Sequence, residues 1–235
     1  LSCIFSGLFT APCIENYIKS AKVAAADVPT KVYEDAVAAE EGRHQALLKS
    51  SGGENPYLIH QELGDVMTRA ATVVRSNPQL DEAYKTVDDL HQRALRCSMS
   101  DGGSWTNQNV IFTKALQDMF PFAKAILKGA RMRDECRGAH YKPEFSLPSI
   151  EATDPVQRRR EAEAWCDRFE ENNRKFLKSS IADCTSNDPV ITYEDVDTGS
   201  IAPRPRLYGL VGAEVIEQVW KERLEAKTKE PALAK

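Results

Sequence analysis

The sequence predicts a mostly α protein: an antiparallel three-helix bundle followed by a small C-terminal β-hairpin and an extra terminal helix. Three observations predict it. Between residues 54 and 136, apolar side chains recur at three- and four-residue spacing in three long segments. Short turn-rich runs join those segments, which favours antiparallel neighbours. After Pro143 the pattern changes to two strand-like runs bounded by turn residues, and then to a last amphipathic stripe.

Residues 1–26 form the first element, a helical segment with small and apolar residues on most sides. A helix of that kind needs neighbours to bury it, and Pro12 predicts a kink. Residues 27–53 are a connector containing a helix over residues 31–49, ended by Ser50-Ser51-Gly52-Gly53.

The bundle occupies residues 54–145. Asn55-Pro56 supplies a cap and then a Pro in the first turn. Ile59, Leu63, Val66, Met67 and Ala70 form the stripe of that helix, which is expected to end near Arg75. Asn77-Pro78 repeats the start signal for a second helix carrying Leu80, Ala83, Tyr84, Val87, Leu90, Ala94 and Leu95. The third helix is expected from Ser104 to Cys136. Its stripe is Ile111, Ala115, Met119, Phe122, Ala123, Ile126, Leu127 and Ala130, with Pro121 inside and Gly138 just past its end.

Residues 146–209 hold a short helix from Asp154-Pro155 through Arg168, a hairpin and an extended strap. Runs 176–184 and 190–196 are the strands, joined by Ser186-Asn187-Asp188-Pro189, and Pro203 and Pro205 mark the strap. Residues 210–235 are a terminal helix striped by Val215, Ile216, Val219, Trp220 and Leu224. Its tail over residues 227–235 is expected to be disordered.

Composition narrows the function. Of 235 residues, 42% are hydrophobic and 28% charged, a globular balance, and the net charge is −4. An acidic chain whose one basic run, Arg158-Arg159-Arg160, is followed by Glu161 and Glu163 is a poor binder of nucleic acid. The six cysteines are scattered without a C-x-x-C pair and apart from the four histidines. A metal site and a disulfide framework are therefore not expected. The apolar opening segment is too short to span a bilayer and lacks a signal-peptide pattern. No phosphate-loop glycine pattern occurs, and Ser2 and Ser6 have no His and Asp beside them to make a nucleophile.

The stretch Cys136-Arg137-Gly138-Ala139-His140 carries the strongest local signal. Arg137 offers planar, bidentate pairing with a carboxylate, and His140 is able to titrate or to donate two hydrogen bonds. An Arg, a turn Gly and a His this close together indicate a docking corner. An internal salt bridge and a satisfied buried His are the structural alternative.

Ordered blocks along most of the chain resemble one family, the flavoprotein subunit of succinate dehydrogenase and fumarate reductase. Residues 1–20 look like the helix that closes an α/β FAD-binding domain. Residues 61–75 look like the opening helix of the family's helical C-terminal domain. Asn107-Gln108-Asn109 with Met119, then residues 133–140, look like its third helix and following corner. Tyr193-Glu194-Asp195-Val196 and Pro203-Arg204-Pro205-Arg206-Leu207-Tyr208 look like its hairpin and strap. Three departures stand out: Cys136 replaces the frequent Ser or Thr, residues 150–172 are longer than in many members, and the helix after Gly209 is an extension.

The resemblance implies that the chain is the C-terminal portion of a subunit that interconverts succinate and fumarate with FAD. It implies an iron–sulfur subunit as partner, a membrane anchor subunit reached indirectly, and a peripheral place on the cytoplasmic side of the inner or plasma membrane. The family's flavin- and substrate-binding residues lie upstream, so no catalytic residue is expected here. Leu1 and Ser2 are the edge of the flavin site, where a helix N-terminus favours negative charge. Arg137 and His140 are the candidate docking residues toward the FAD-binding domain or a partner. Two alternatives stand beside this reading: a stand-alone, non-catalytic helical interaction module, and a flavoprotein like L-aspartate oxidase.

Overall fold

A computed structural model describes residues 2–103, 105–199 and 202–229, with backbone only for Ser2, Thr228 and Lys229. Seven α-helices and one two-stranded antiparallel sheet are present among the described residues. The chain divides into two compact units, Leu1–Ser51 with Ser98–Val110, and Gly52–Cys97 with Ile111–Lys235.

The first unit holds α1 (Ser2–Ser20) and α2 (Thr30–Leu48). Helix α1 runs through Pro12 and ends six residues before the expected limit. A short 3-10 turn, Ala25–Asp27, follows, where the Asp27 carboxylate accepts from the Ala24 N–H. Ile4, Phe5, Leu8, Phe9, Ile14, Tyr17 and Ile18 of α1 are all exposed. In the segment from Ser98 to Val110, the buried Asn107 side chain donates to the carbonyls of Asp101 and Gly103. Its Oδ1 accepts from the N–H groups of Asn109 and Val110. Asn107 is thus the cap of the third bundle helix, which begins at Gln108 and not at Ser104. Two orphan N–H groups of the first turn find an acceptor there.

The second unit contains α3 (Pro56–Ala71), α4 (Asn77–Ala94) and, from Ile111 onward, α5 (Gln108–Met132). Asn55 caps α3 through the Tyr57 N–H. Helix α3 stops at Ala71, short of Arg75, because Arg75 folds back onto its end and donates to the carbonyls of Ala71 and Thr72. Helix directions follow from side-chain pairs. Arg131 meets Asp81, Lys124 meets Asp88 and Gln117 reaches the Ala94 carbonyl, so α4 and α5 are antiparallel. Arg93 near the end of α4 forks onto Glu54 and Glu62 at the start of α3, so that pair is antiparallel too.

The core comprises Ile59, Leu63, Val66 and Ala70 of α3, Leu80, Val87 and Leu90 of α4, and Leu116, Phe120, Ala123 and Leu127 of α5. Each large aliphatic side chain buried in this way contributes about 1.5–3 kcal/mol. The expected α5 stripe is only partly the buried one. Ile111, Met119, Phe122 and Ile126 are exposed. Helix α5 carries two adjacent apolar stripes one residue out of phase, and the α3–α4 pair covers the one led by Leu116 and Phe120.

The rest of the second unit is α6 (Pro155–Phe176), β1 (Lys178–Asp183), β2 (Val190–Asp195) and α7 (Ala213–Lys229). Register runs from Lys178 opposite Asp195 to Asp183 opposite Val190. The short helix expected to end at Arg168 is in fact 22 residues long. Its polar second half, which lacks an apolar stripe, is held by Glu171–Lys175 within the helix and by Arg223 and Lys227 of α7 on Glu170. Helix α7 covers α6. Ile216, Val219 and Trp220 pack with Ala162, Trp165, Cys166 and Ile150, and Phe169 stands edge-on to Trp220. The terminal stripe therefore packs within its own chain. Residues 227–229, expected in a disordered tail, are helical, and 230–235 lie outside the described residues.

The strap returns to the segment before α6 at Gly212, whose φ is +85°. There the Ile150 N–H donates to the Val211 carbonyl at 2.9 Å. A Cβ on Gly212 would sit 2.6 Å from the Ile150 Cβ. Gly212→Ala is therefore expected to lower stability by about 2 kcal/mol, combining a disfavoured φ with a clash. Gly129 lies inside α5 with open space where its Cβ would be. Gly129→Ala is expected to raise stability by about 0.5–1 kcal/mol. Urea denaturation of both variants, followed by circular dichroism, checks the opposite signs.

Candidate functional site

The corner after α5 is built around a buried carboxylate. Glu135 is 1% exposed. Its Oε1 accepts from Arg133 at 2.6 Å, and both of its oxygens accept from Arg137 Nε, at 3.1 and 2.9 Å. Each guanidinium then reaches a different element. Arg137 donates to Asn173 Oδ1 on α6 at 2.9 Å. Arg133 donates to the carbonyls of Phe176 and Lys178, where α6 gives way to β1. Arg suits this task because its planar fork serves several acceptors at once. One anion thus fixes the end of α5 to α6 and to the root of the hairpin.

Residues 137–140 form a tight turn. Arg137 and His140 exchange backbone hydrogen bonds at 2.8 and 2.9 Å, and Gly138 takes the left-handed conformation at φ +60°. Gly138 is therefore a turn residue of the corner, since α5 already ends at Met132. Tyr141 next pairs with the α3–α4 connection, accepting from the Arg75 N–H and donating to the Val73 carbonyl.

His140 has both ring nitrogens engaged. Nδ1 lies 2.8 Å from Arg75 Nη1, and Nε2 lies 2.9 Å from the Arg133 carbonyl. A guanidinium only donates, so Nδ1 is the acceptor and Nε2 carries the proton. This neutral tautomer caps a carbonyl at the end of α5. Burial holds the His140 pKa below its ordinary value, and the nearby Arg75 and Lys142 charges push in the same direction.

Lys142, fully buried, does similar work. Its Nζ donates to Asn77 Oδ1, to the Arg131 carbonyl and to Asp134 Oδ1, at 2.7, 3.2 and 3.0 Å. Asn77 was expected to cap α4. It is instead the first helical residue, preceded by Ser76, and its side chain serves Lys142 and Asp134. Cys136 donates to the Lys142 carbonyl, and burial raises its thiol pKa.

Sequence reasoning singled out Arg137 and His140, and the structure brings both into this corner. It missed Glu135, Arg133, Arg75 and Lys142. The signal that would have found Glu135 is its place between two arginines at i−2 and i+2, a spacing that does not face together on a helix and so meets only where the helix has ended. Leu1 lies outside the described residues, and only the backbone of Ser2 is described. Among the described residues no cluster of His, Cys, Asp and Glu is suited to a metal ion.

A second feature is the exposed α5 stripe. Met119, Phe122 and Ile126 line a shallow groove with His60, Gly64 and Met67 of α3. Tyr57 and His60 close its end against Phe112 at ring distances of 4.3 and 5.4 Å. The groove is almost wholly apolar.

The helical bundle, its hairpin and this corner define a helical domain whose elements are joined by buried charge pairs. Residues 60–208 match the family model described as fumarate reductase flavoprotein C-term, and the chain belongs to that family. It is 31% identical over 210 residues to a succinate dehydrogenase flavoprotein subunit of Bacillus subtilis, covering 88% of this chain and 32% of that protein. It is 27% identical over 185 residues to a fumarate reductase flavoprotein subunit of Haemophilus influenzae, covering 78% and 27%. Among solved structures, the Escherichia coli quinol fumarate reductase flavoprotein shares the fold with a TM-score of 0.60 at 23% identity, covering 83% of this chain and 29% of that one. The chain thus spans about a third of the length of the curated relatives it matches. These relatives do not favour the stand-alone module or the aspartate oxidase alternative.

The family implies FAD, but the described residues do not form a site for it. They contain no glycine-rich turn between a strand and a helix that would cradle its phosphates. No chemical step is assigned to the flavin here.

Two outcomes follow from the corner. Glu135→Ala leaves two guanidinium groups facing a void. It is expected to lower stability by about 3 kcal/mol, the usual scale for breaking a buried ion pair; urea denaturation gives the value. The second concerns pH. A His whose folded pKa lies below its unfolded value of about 6.5 contributes stability that is fully present above pH 6.5. That stability is lost as pH falls from there toward the folded pKa. Stability is expected to fall more steeply below pH 6.5 in the wild type than in His140→Gln, by up to about 1.4 kcal/mol per pH unit. Equal slopes would rule out the neutral tautomer.

Proposed function

We propose that this chain is the C-terminal part of a flavoprotein subunit that interconverts succinate and fumarate. In this reading, FAD is held mainly by residues upstream, with Leu1 and Ser2 at the edge of its site. Electrons pass through an iron–sulfur subunit to or from a membrane quinone, and a membrane anchor subunit is reached only indirectly. The observation that carries the reading is the family match over residues 60–208, together with a 31% identical relative that calls itself a succinate dehydrogenase flavoprotein subunit.

The role of this portion is mechanical. It supplies a rigid helical body and surfaces against which the rest of the subunit seats. The exposed apolar side chains of α1 and the apolar α3–α5 groove support this. Contiguous apolar surface of that kind marks an interaction site. A chain covering about a third of its relatives leaves a large body to cover it. Arg137 and His140 are proposed to stiffen the corner so that the neighbouring surface docks in one geometry. The assembly is proposed to be peripheral, on the cytoplasmic side of the inner or plasma membrane. No described helix is long and apolar enough to cross a membrane.

The test compares two polypeptides. The 235-residue chain alone is expected to bind no stoichiometric flavin and to oxidise no succinate. A polypeptide that adds the upstream FAD-binding region is expected to bind FAD and to reduce a dye with succinate. Flavin bound one-to-one by the short chain, or an inactive flavin-loaded long one, would sink the proposal.

A further inference from the structure

The β1–β2 hairpin is seated on the bundle by two unlike sets of contacts. At its root Arg133 donates to the Phe176 and Lys178 carbonyls and lies 5.9 Å from the Tyr193 ring centroid. That guanidinium is held by the buried Glu135, with side-chain exposures of 16% and 1% for the pair. At the tip, Asp188 accepts two hydrogen bonds from Lys128 of α5, at 2.7 and 2.8 Å, and one from the Tyr84 hydroxyl of α4 at 2.5 Å. The Asn187 carbonyl accepts from Lys124 at 3.2 Å. The Lys128–Asp188 pair is open to solvent, at 30% and 69% exposure.

Little apolar burial backs these contacts. No residue from 178 to 195 belongs to the hydrophobic core. Pro189 is buried, Ile191 and Tyr193 are half-buried, and every other residue from Ser179 to Asp195 is exposed. An exposed ion pair is screened by salt, whereas a buried one is screened far less.

We infer that the hairpin is an electrostatically latched arm: its tip releases from the α4–α5 pair when the Asp188 contacts are screened or neutralised, while its root stays anchored through Arg133 and Glu135. The latch occupies two cations one turn apart on α5, Lys124 and Lys128. Unlatching frees Lys128 without opening the core, which makes the arm a conformational device set by ionic conditions.

Hydrogen exchange with mass spectrometry on the full chain tests this at constant pH, at about 0.05 M and about 1 M NaCl, where the screening length falls from beyond 10 Å to about 3 Å. Peptides covering residues 181–193 are expected to exchange up to about fivefold faster at high salt, the range for losing an exposed pair. Peptides from α4, α5 and residues 133–140 are expected to keep their rates. Asp188→Asn is expected to give the fast tip at low salt and to remove its salt dependence. The proposal is overturned if tip exchange ignores both salt and Asp188→Asn, or if the tip and the helices accelerate together.

Discussion

A single buried carboxylate, Glu135, joins three elements that would otherwise share little apolar contact. Helix α5 ends at Met132, α6 begins 23 residues further on at Pro155, and β1 follows α6 directly. Glu135 is sealed from water and pairs with Arg133 and Arg137, and the two guanidinium groups spend their other donors on α6 and β1. Desolvating an anion carries a large penalty unless its lone pairs are filled. Here they are filled from both sides. The same desolvation makes the arrangement specific, because any other register of the corner would leave the charge unpaired.

The corner also completes the backbone accounting of α5. The carbonyls in the last turn of a helix have no partner within it. Lys142 takes that of Arg131 and His140 takes that of Arg133. Both donors belong to the segment that turns back, so ending the helix and shaping the corner are one event. On α3, Arg75 does the same from its own chain end, and its charge also suits the negative end of a helix. Arg75 then reaches His140, which links the ends of α3 and α5 through one imidazole.

Two of the three departures read from the sequence, residues 150–172 and the helix after Gly209, pack against each other in the structure. Helices α6 and α7 bury each other's apolar stripes, with ion pairs from Arg158 to Glu214, Arg159 to Glu222 and Arg223 to Asp167 along their flanks. Neither helix would be stable without the other. Helix α6 is strongly polar outside Ala162, Trp165, Cys166 and Phe169, and an isolated helix of its length is marginal in water. Helix α7 lies beyond residue 208, where the family match ends. Helices α6 and α7 thus form a small second core.

Much of the architecture was legible in the sequence, because helix periodicity and turn chemistry are local. Asn55-Pro56 and Asp154-Pro155 start helices where they stand, and the two strand-like runs pair as written. The ordered blocks that led to the family needed no coordinates either. What sequence left open was decided by tertiary contact. Helix α5 carries two apolar stripes, and only packing against α3 and α4 selects which is buried. Asn77 reads as a cap in the sequence yet is the first helical residue, and its side chain is claimed by Lys142 from 65 residues away. Arg137 and His140 stood out as a pair, but their chemistry depends on Glu135, Arg133 and Arg75. The reason is the same in each case. Periodicity and caps are set within a few residues, whereas the burial of a charge depends on which distant groups arrive to satisfy it.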